Sequence, residues 1–166
     1  VAGDSGPDDL TVRDVAARYP DVAFLPVAHG PRTVTLQHRA PNVFRTSGDH
    51  DQGVAGLATY AYRTLGWRRA AVVTGPWDAG WGERDAFTAE FCALGGRVTR
   101  QLQPLVFDPH GRDVRSVPRG VDGVAVFSIS LFGPAGFLDA LARRMHDPRR
   151  IVVGPATVDD PDLAHQ

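Results

Sequence analysis

Three stretches of this sequence hold side chains that could do chemistry. Gly3-Asp4-Ser5-Gly6-Pro7 sets a serine between glycines, a setting in which a hydroxyl can act as nucleophile. A serine nucleophile needs a histidine base and an acid that orients it. In the chain order that goes with this motif both come earlier, and only four residues precede Ser5. Asp49-His50-Asp51 is the densest run of metal-type ligands. Three consecutive residues rarely converge on one ion, and an aspartate before a helical pattern is the usual N-cap, followed here by an acidic first turn. The third stretch, residues 77–82, places Trp77 and Trp81 in a glycine-containing loop that leads into a helix.

Other chemistries are excluded by composition. All 18 basic residues are arginine, which suits the GC-rich coding of an actinobacterial-type composition. No P-loop or Schiff-base lysine can therefore be supplied by this chain. No Gly-x-Gly-x-x-Gly follows a strand pattern, so a dinucleotide site has no support, and no cofactor or metal is implied. Formal net charge is −1, which gives no overall field for nucleic acid or an anionic membrane. The arginine pairs 68–69, 143–144 and 149–150 fall near helix ends and are expected to complement helix dipoles. The single cysteine, Cys92, is expected as a small buried hydrophobe in a helix. No apolar run reaches the ~20 residues of a membrane-spanning helix.

The elements that must position these residues follow from hydrophobic period. Helical spacing is expected over residues 8–19, 51–65, 81–94 and 134–145. In the second of these Val54, Leu57, Ala58, Ala61 and Leu65 share one face, and Gly66 is a natural stop. Strands are expected over 22–27, 70–74, 97–103, 121–127 and 150–153, with a short extended piece at 42–45. Residues 107–120 should form a loop holding one short helix. Strands alternating with helices imply a three-layer α-β-α sandwich around a mostly parallel, doubly wound sheet. In such sheets ligands sit beyond the carboxyl ends of the strands. Five loops lie there: 4–6, 28–30, 77–81, 128–131 and 156–158.

The order of landmarks resembles the type I periplasmic-binding-protein family, specifically branched-chain-amino-acid-type substrate-binding proteins of ABC transporters. Pro41-Asn42-Val43-Phe44-Arg45-Thr46 is similar to that family's crossover motif. Leu65-Gly66-Trp67 ends the following helix, Gly80-Trp81-Gly82 stands where the family usually has Tyr-Gly, and Phe91-Cys92-Ala93-Leu94-Gly95-Gly96 matches its "F-x-x-x-G-G" element. Val121-Asp122-Gly123-Val124 and residues 150–155 resemble two later strand entries.

The resemblance implies that residues 1–45 are the end of a first lobe, 46–155 a second lobe and 156–166 a tail, so the chain is expected to be a piece of a two-lobed protein. It implies a hinge at 44–47 and binding of a small polar solute, an amino acid or related carboxylate, without catalysis. Ser5, Ala28 and His29 would hold the ligand's carboxylate end, Trp81 would close over it, and Ser128 and Ser130 would meet it from the second lobe. Thr157 stands near the place where amino-acid binders often carry an acid; that acid is missing here, although Asp159 and Asp160 are close. Each residue also has a structural reading: Trp81 as a helix-packing aromatic, Ser5 and Ser128 as turn or capping residues, His29 as a loop residue. Expected partners are the small-molecule ligand and either an ABC importer permease or a fused regulatory domain, with a homodimer as a further option. An extracytoplasmic location, without direct membrane insertion, goes with this reading. A hydrolase using Ser5 or His29, or a protein-interaction domain, are the alternatives.

Overall fold

The computed structural model describes residues 14–25, 40–76, 78–103, 112–127 and 134–155; for 78, 79, 134 and 135 it describes the backbone alone. Four strands form one sheet: β1 (Arg69–Thr74), β2 (Arg97–Leu102), β3 (Gly123–Phe127) and β4 (Ile151–Val153). Their order is β2-β1-β3-β4 and every pairing is parallel. The central strands β1 and β3 are buried almost throughout, which is why they read as continuous apolar runs rather than alternating ones.

Alternate residues of these strands feed two cores. Ala71, Val73, Val124 and Val126 face α4 (Pro134–Met145) and the 3-10 turn Arg112–Ser116, where Val114, Phe137, Leu141 and Met145 are buried. Ala70, Val72, Ala125 and Phe127 face α3 (Asp78–Ala93), whose Phe87 and Phe91 stack with ring centroids 5.5 Å apart. Helical elements thus cover both faces, giving the three-layer α/β sandwich that the alternation implies.

The long helix expected over 51–65 is a correction. It is broken into α1 (His50–Gly53), α2 (Leu57–Thr59) and a π-helical turn (Tyr60–Thr64). Gly56 breaks it, with φ at 88°, a value that a right-handed helix cannot hold. Val54, Ala58 and Ala61 are nevertheless buried, so the apolar stripe survives the break. Glu90 of α3 mends it: its carboxylate accepts from Gly56 N at 3.1 Å, Thr59 N at 3.2 Å and the Thr59 hydroxyl. Asp49 caps α1 as its type and position suggest, in a reciprocal box with Gln52.

Cys92 is a second correction: it is exposed. Phe87 and Phe91, four apart, point to the sheet, and the next position along the helix falls on the solvent side. Helix α3 also begins at Asp78 rather than at 81.

The amino-terminal part packs separately. Ala16 and Phe24 form a third small core with Val15, Ala40 and Val43, and Phe24 pairs with Val43 in a parallel bridge. The chain's one asparagine holds this piece together. Asn42 Nδ2 donates to the carbonyls of Ala16, Tyr19 and Val22 at 3.1, 2.9 and 2.8 Å.

Candidate functional site

The carboxyl ends of β1, β3 and β4 meet at one edge of the sheet, and the amino terminus of α3 rises from that edge. The backbone there is closely packed: Thr74, Gly75, Gly80 and Gly154 are all buried. β1 ends at Thr74, which is fully buried and donates from its hydroxyl to Gly75 O at 3.1 Å. Gly75 N in turn donates to Phe127 O at 3.3 Å, and Gly154 N to Val126 O at 2.9 Å. Gly80, in the first turn of α3, lies directly on this bend: a Cβ there would overlap the Thr74 hydroxyl and come within 2.9 Å of Gly75 O. A Cβ at Gly154 would stand 2.6 Å from the Phe127 ring. Close packing, rather than turn geometry, therefore requires glycine at both positions: against the Thr74 hydroxyl and Gly75 backbone at 80, and against the Phe127 ring at 154.

Trp81 stands on this edge with 42% of its surface exposed. Its neighbours in the helix behave differently. Glu83 is 1% exposed, a carboxylate carried into the interior. Gly82 leaves room for the Asp51 carboxylate, whose Cγ would lie 3.2 Å from a Cβ at 82. This contact ties α1 to the start of α3. The edge thus combines closely packed strand ends, the positive end of a 16-residue helix and one large, partly exposed aromatic ring. That combination can hold an anionic group against N–H donors while an apolar body lies on the indole.

A cavity of about 210 Å³ lies beside this edge on the other face of the sheet. Val73, Leu102 and Phe137 form its floor, with Gln103, Asp113 and Ser116 at its rim. None of its polar residues was singled out from the sequence, since a loop serine, glutamine and aspartate carry no signal before the fold brings them together. Glu83 was missed for the same reason, and Thr74 could have been found as the polar end of the apolar run Ala70-Ala71-Val72-Val73.

Of the residues expected at a site, Trp81 is the one whose surroundings are described. Ser5, Ala28, His29, Ser128, Ser130 and Thr157 lie outside the described residues, as do Trp77, Asp159 and Asp160. Among the described residues no group of three histidine, cysteine, aspartate or glutamate side chains could hold a metal ion, and no helix is long and apolar enough to cross a membrane.

No protein-family model matches the chain, and no curated protein sequence matches it. Solved structures do match. A solute-binding protein of an ABC transporter from Rhodopseudomonas palustris HaA2, in complex with p-hydroxybenzoic acid, superposes with a TM-score of 0.80 at 20% identity, over 99% of this chain and 45% of that one. Another from Rhodopseudomonas palustris BisB5, in complex with 3,4-dihydroxybenzoic acid, gives 0.68 at 25% identity, over 92% and 41%. A leucine-binding protein from Thermotoga maritima gives 0.75 at 21% identity, over 99% and 46%. The chain has the fold of type I solute-binding proteins of ABC transporters, and it spans less than half the length of each of these three.

Proposed function

We propose that this chain is a non-catalytic binding module for a small carboxylate solute, held at the carboxyl edge of the sheet beneath Trp81. The observation that carries the proposal is that the start of a long helix, bearing a partly exposed indole, is packed at Gly80 directly onto the end of β1. A carboxylate suits the helix terminus, and a small apolar or aromatic body suits the indole. The ligands printed for two of the similar structures, p-hydroxybenzoic and 3,4-dihydroxybenzoic acid, have both parts. Among carboxylates, an aromatic acid is favoured over an α-amino acid, because residues 156–157 supply no acid for an ammonium group.

The division into the end of a first lobe, residues 1–45, and a second lobe, 46–155, belongs to the same proposal. Tyr19, Val22, Leu25 and Phe44 are 57%, 47%, 48% and 53% exposed, a concentration of large apolar side chains on a small piece of structure. A first lobe completed by further chain would cover them, and binding would then be closure of two lobes about the crossover at 44–47. Ser5, Ala28 and His29 would meet the ligand from the first lobe, and Ser128, Ser130 and Thr157 from the second. An ABC importer permease, or a regulatory domain fused to the lobes, would be the macromolecular partner, with an extracytoplasmic location.

The test is a thermal-shift panel of benzoate, hydroxybenzoates, aliphatic carboxylates and branched-chain amino acids, repeated with Trp81→Ala. Stabilisation by aromatic carboxylates that vanishes in the variant is the expected result. A cooperative melt unmoved by every compound, in both this chain and a two-lobed version of it, would refute the proposal.

A further inference from the structure

Because every pairing is parallel, the starts of the four strands also share one edge, opposite the edge that carries Trp81. Arginines gather on it. Arg68 and Arg69 stand at the start of β1, Arg97 opens β2, Arg119 lies in the turn before β3, and Arg149 and Arg150 precede β4. Two carboxylates share this edge, and both already accept backbone N–H groups. Asp122 takes those of Arg68 and Arg69 at 2.8 and 2.7 Å, and Asp147 takes that of Arg149 at 2.8 Å. Six guanidiniums against two committed carboxylates make a local positive field on a chain whose formal net charge is −1.

The six do not have the same task. Arg68 lies over the Tyr62 ring, 3.9 Å from its centroid, and donates to the Tyr62 and Trp67 carbonyls. Arg150 donates to the carbonyls of Asp122 and Val121. These two close helix and loop ends. The guanidiniums of Arg69, Arg97, Arg119 and Arg149 make no hydrogen bond or ion pair among the described residues, and Arg149 borders an acid-lined cavity at this edge.

Geometry brings the first three together. Arg69 and Arg97 are direct register partners on adjacent parallel strands, so their side chains leave the same face about 4.8 Å apart. The Arg69 guanidinium lies along Gly120, where a Cβ would sit 3.4 Å from Nη2 and 3.7 Å from Nη1. Gly120 adjoins Arg119, so the Arg69 guanidinium lies against the turn that carries the third arginine. Like charges gathered on one edge repel unless an anion is bound among them, and planar guanidinium forks match tetrahedral oxyanions. A polar cavity of about 360 Å³ lies at the same edge, lined in part by Trp67, Asp122, Asp147, Arg149 and Arg150, but its carboxylates disfavour an anion.

We propose that Arg69, Arg97 and Arg119 form a second site, separate from the solute edge, for a phosphate-class oxyanion. Free pyrophosphate and the headgroups of an anionic phospholipid surface present the same chemistry, and the test separates them. Pyrophosphate is titrated into the chain by calorimetry at low ionic strength. In parallel, the chain is sedimented with vesicles of phosphatidylcholine alone and of phosphatidylcholine mixed with phosphatidylglycerol. Both are repeated with Arg69→Gln/Arg97→Gln and, as a control on exposed charge, with Arg143→Gln.

The expected result is saturable binding that falls at least about tenfold in the double variant and with rising salt, as phosphate contacts require, while Arg143→Gln changes nothing. Binding to pyrophosphate alone assigns the site to a soluble ligand. Retention by phosphatidylglycerol vesicles without affinity for pyrophosphate assigns it to a surface. Absence of both for the folded wild-type chain overturns the proposal, as does equal binding by wild type and a double variant with an unchanged melt. Solute stabilisation at the opposite edge is read independently in the same variants, so failure of one site does not count against the other.

Discussion

Gly123→Ala tests the packing that fixes the sheet's starting edge. Gly123 opens β3 with the Trp67 ring lying flat over its Cα, so an added methyl would overlap Cε2, Cζ2 and Cη2 of the indole. Carbon atoms prefer separations of about 3.5–4 Å, so the overlap exceeds an ångström and the ring must move. Trp67 is 2% exposed, and its Nε1–H donates to Arg149 O at 3.1 Å, across the end of β4. Overpacking costs about 1–3 kcal/mol. Pulling the indole off the Arg149 carbonyl leaves a buried polar group unmatched, for about 1–3 kcal/mol more. The lower entropy of the unfolded alanine chain returns about 0.4–1 kcal/mol. The net loss is about 2–4 kcal/mol, which for a chain of this length lowers Tm by roughly 5–15 °C. Urea and thermal melts followed by circular dichroism would measure it. Gly53→Ala serves as the control: its nearest neighbour is the Pro155 ring at 3.4 Å, an ordinary contact, so its melt should stay put or rise slightly. A Gly123→Ala variant that melts within about 2 °C of wild type would refute this account of the edge.

Three further outcomes follow from single contacts. Asn42→Asp should destabilise the 14–25 piece more than Asn42→Ala, because an acceptor would replace the amide that faces three carbonyls; hydrogen exchange at Phe24 and Phe44 N–H, which close the bridge between the two segments, reads the difference. Glu90→Ala removes an acceptor shared by Gly56 N, Thr59 N and the Thr59 hydroxyl, and should cost about 1–3 kcal/mol in urea melts, with Glu90→Gln recovering part of it. Trp81→Ala should cost the unliganded chain no more than about 1–2 kcal/mol, because the side chain is 42% exposed, yet abolish stabilisation by solute.

Strand sites and the sheet's parallel character were legible because a strand buried on both faces has no choice of composition. Ala70–Val73 and Val124–Phe127 could hardly be anything else. Helix α4 was legible to the residue because Pro134 suits its first position and Phe137, Leu141 and Met145 recur every four. The break at Gly56 was not: the apolar stripe continues across it, and stripe period reports burial rather than backbone continuity. The Cys92 expectation failed because a cysteine's usual burial said less than its angle from Phe91. For the proposed site, the sequence singled out the carboxyl-end loops and Trp81, since strand order and glycine placement are local signals. It did not point to Thr74 and Gly80 as a pair, because their meeting depends on how α3 returns over β1, nor to the burial of Glu83. Nor did the separate arginine pairs announce that Arg69 and Arg97 stand side by side, which happens only once β1 and β2 are in register.

The central claim, a carboxylate held at the carboxyl edge of the sheet, is tested most directly by an amide-resolved NMR titration of the ¹⁵N-labelled chain with 4-hydroxybenzoate, which reads even weak binding. The account expects saturable shifts at Gly75, Gly80, Gly82 and Gly154 and at the Trp81 indole N–H, with the Arg69–Arg97 corner silent. Shifts confined to the starting edge, or none at any residue up to millimolar ligand in both this chain and its two-lobed form, would contradict it.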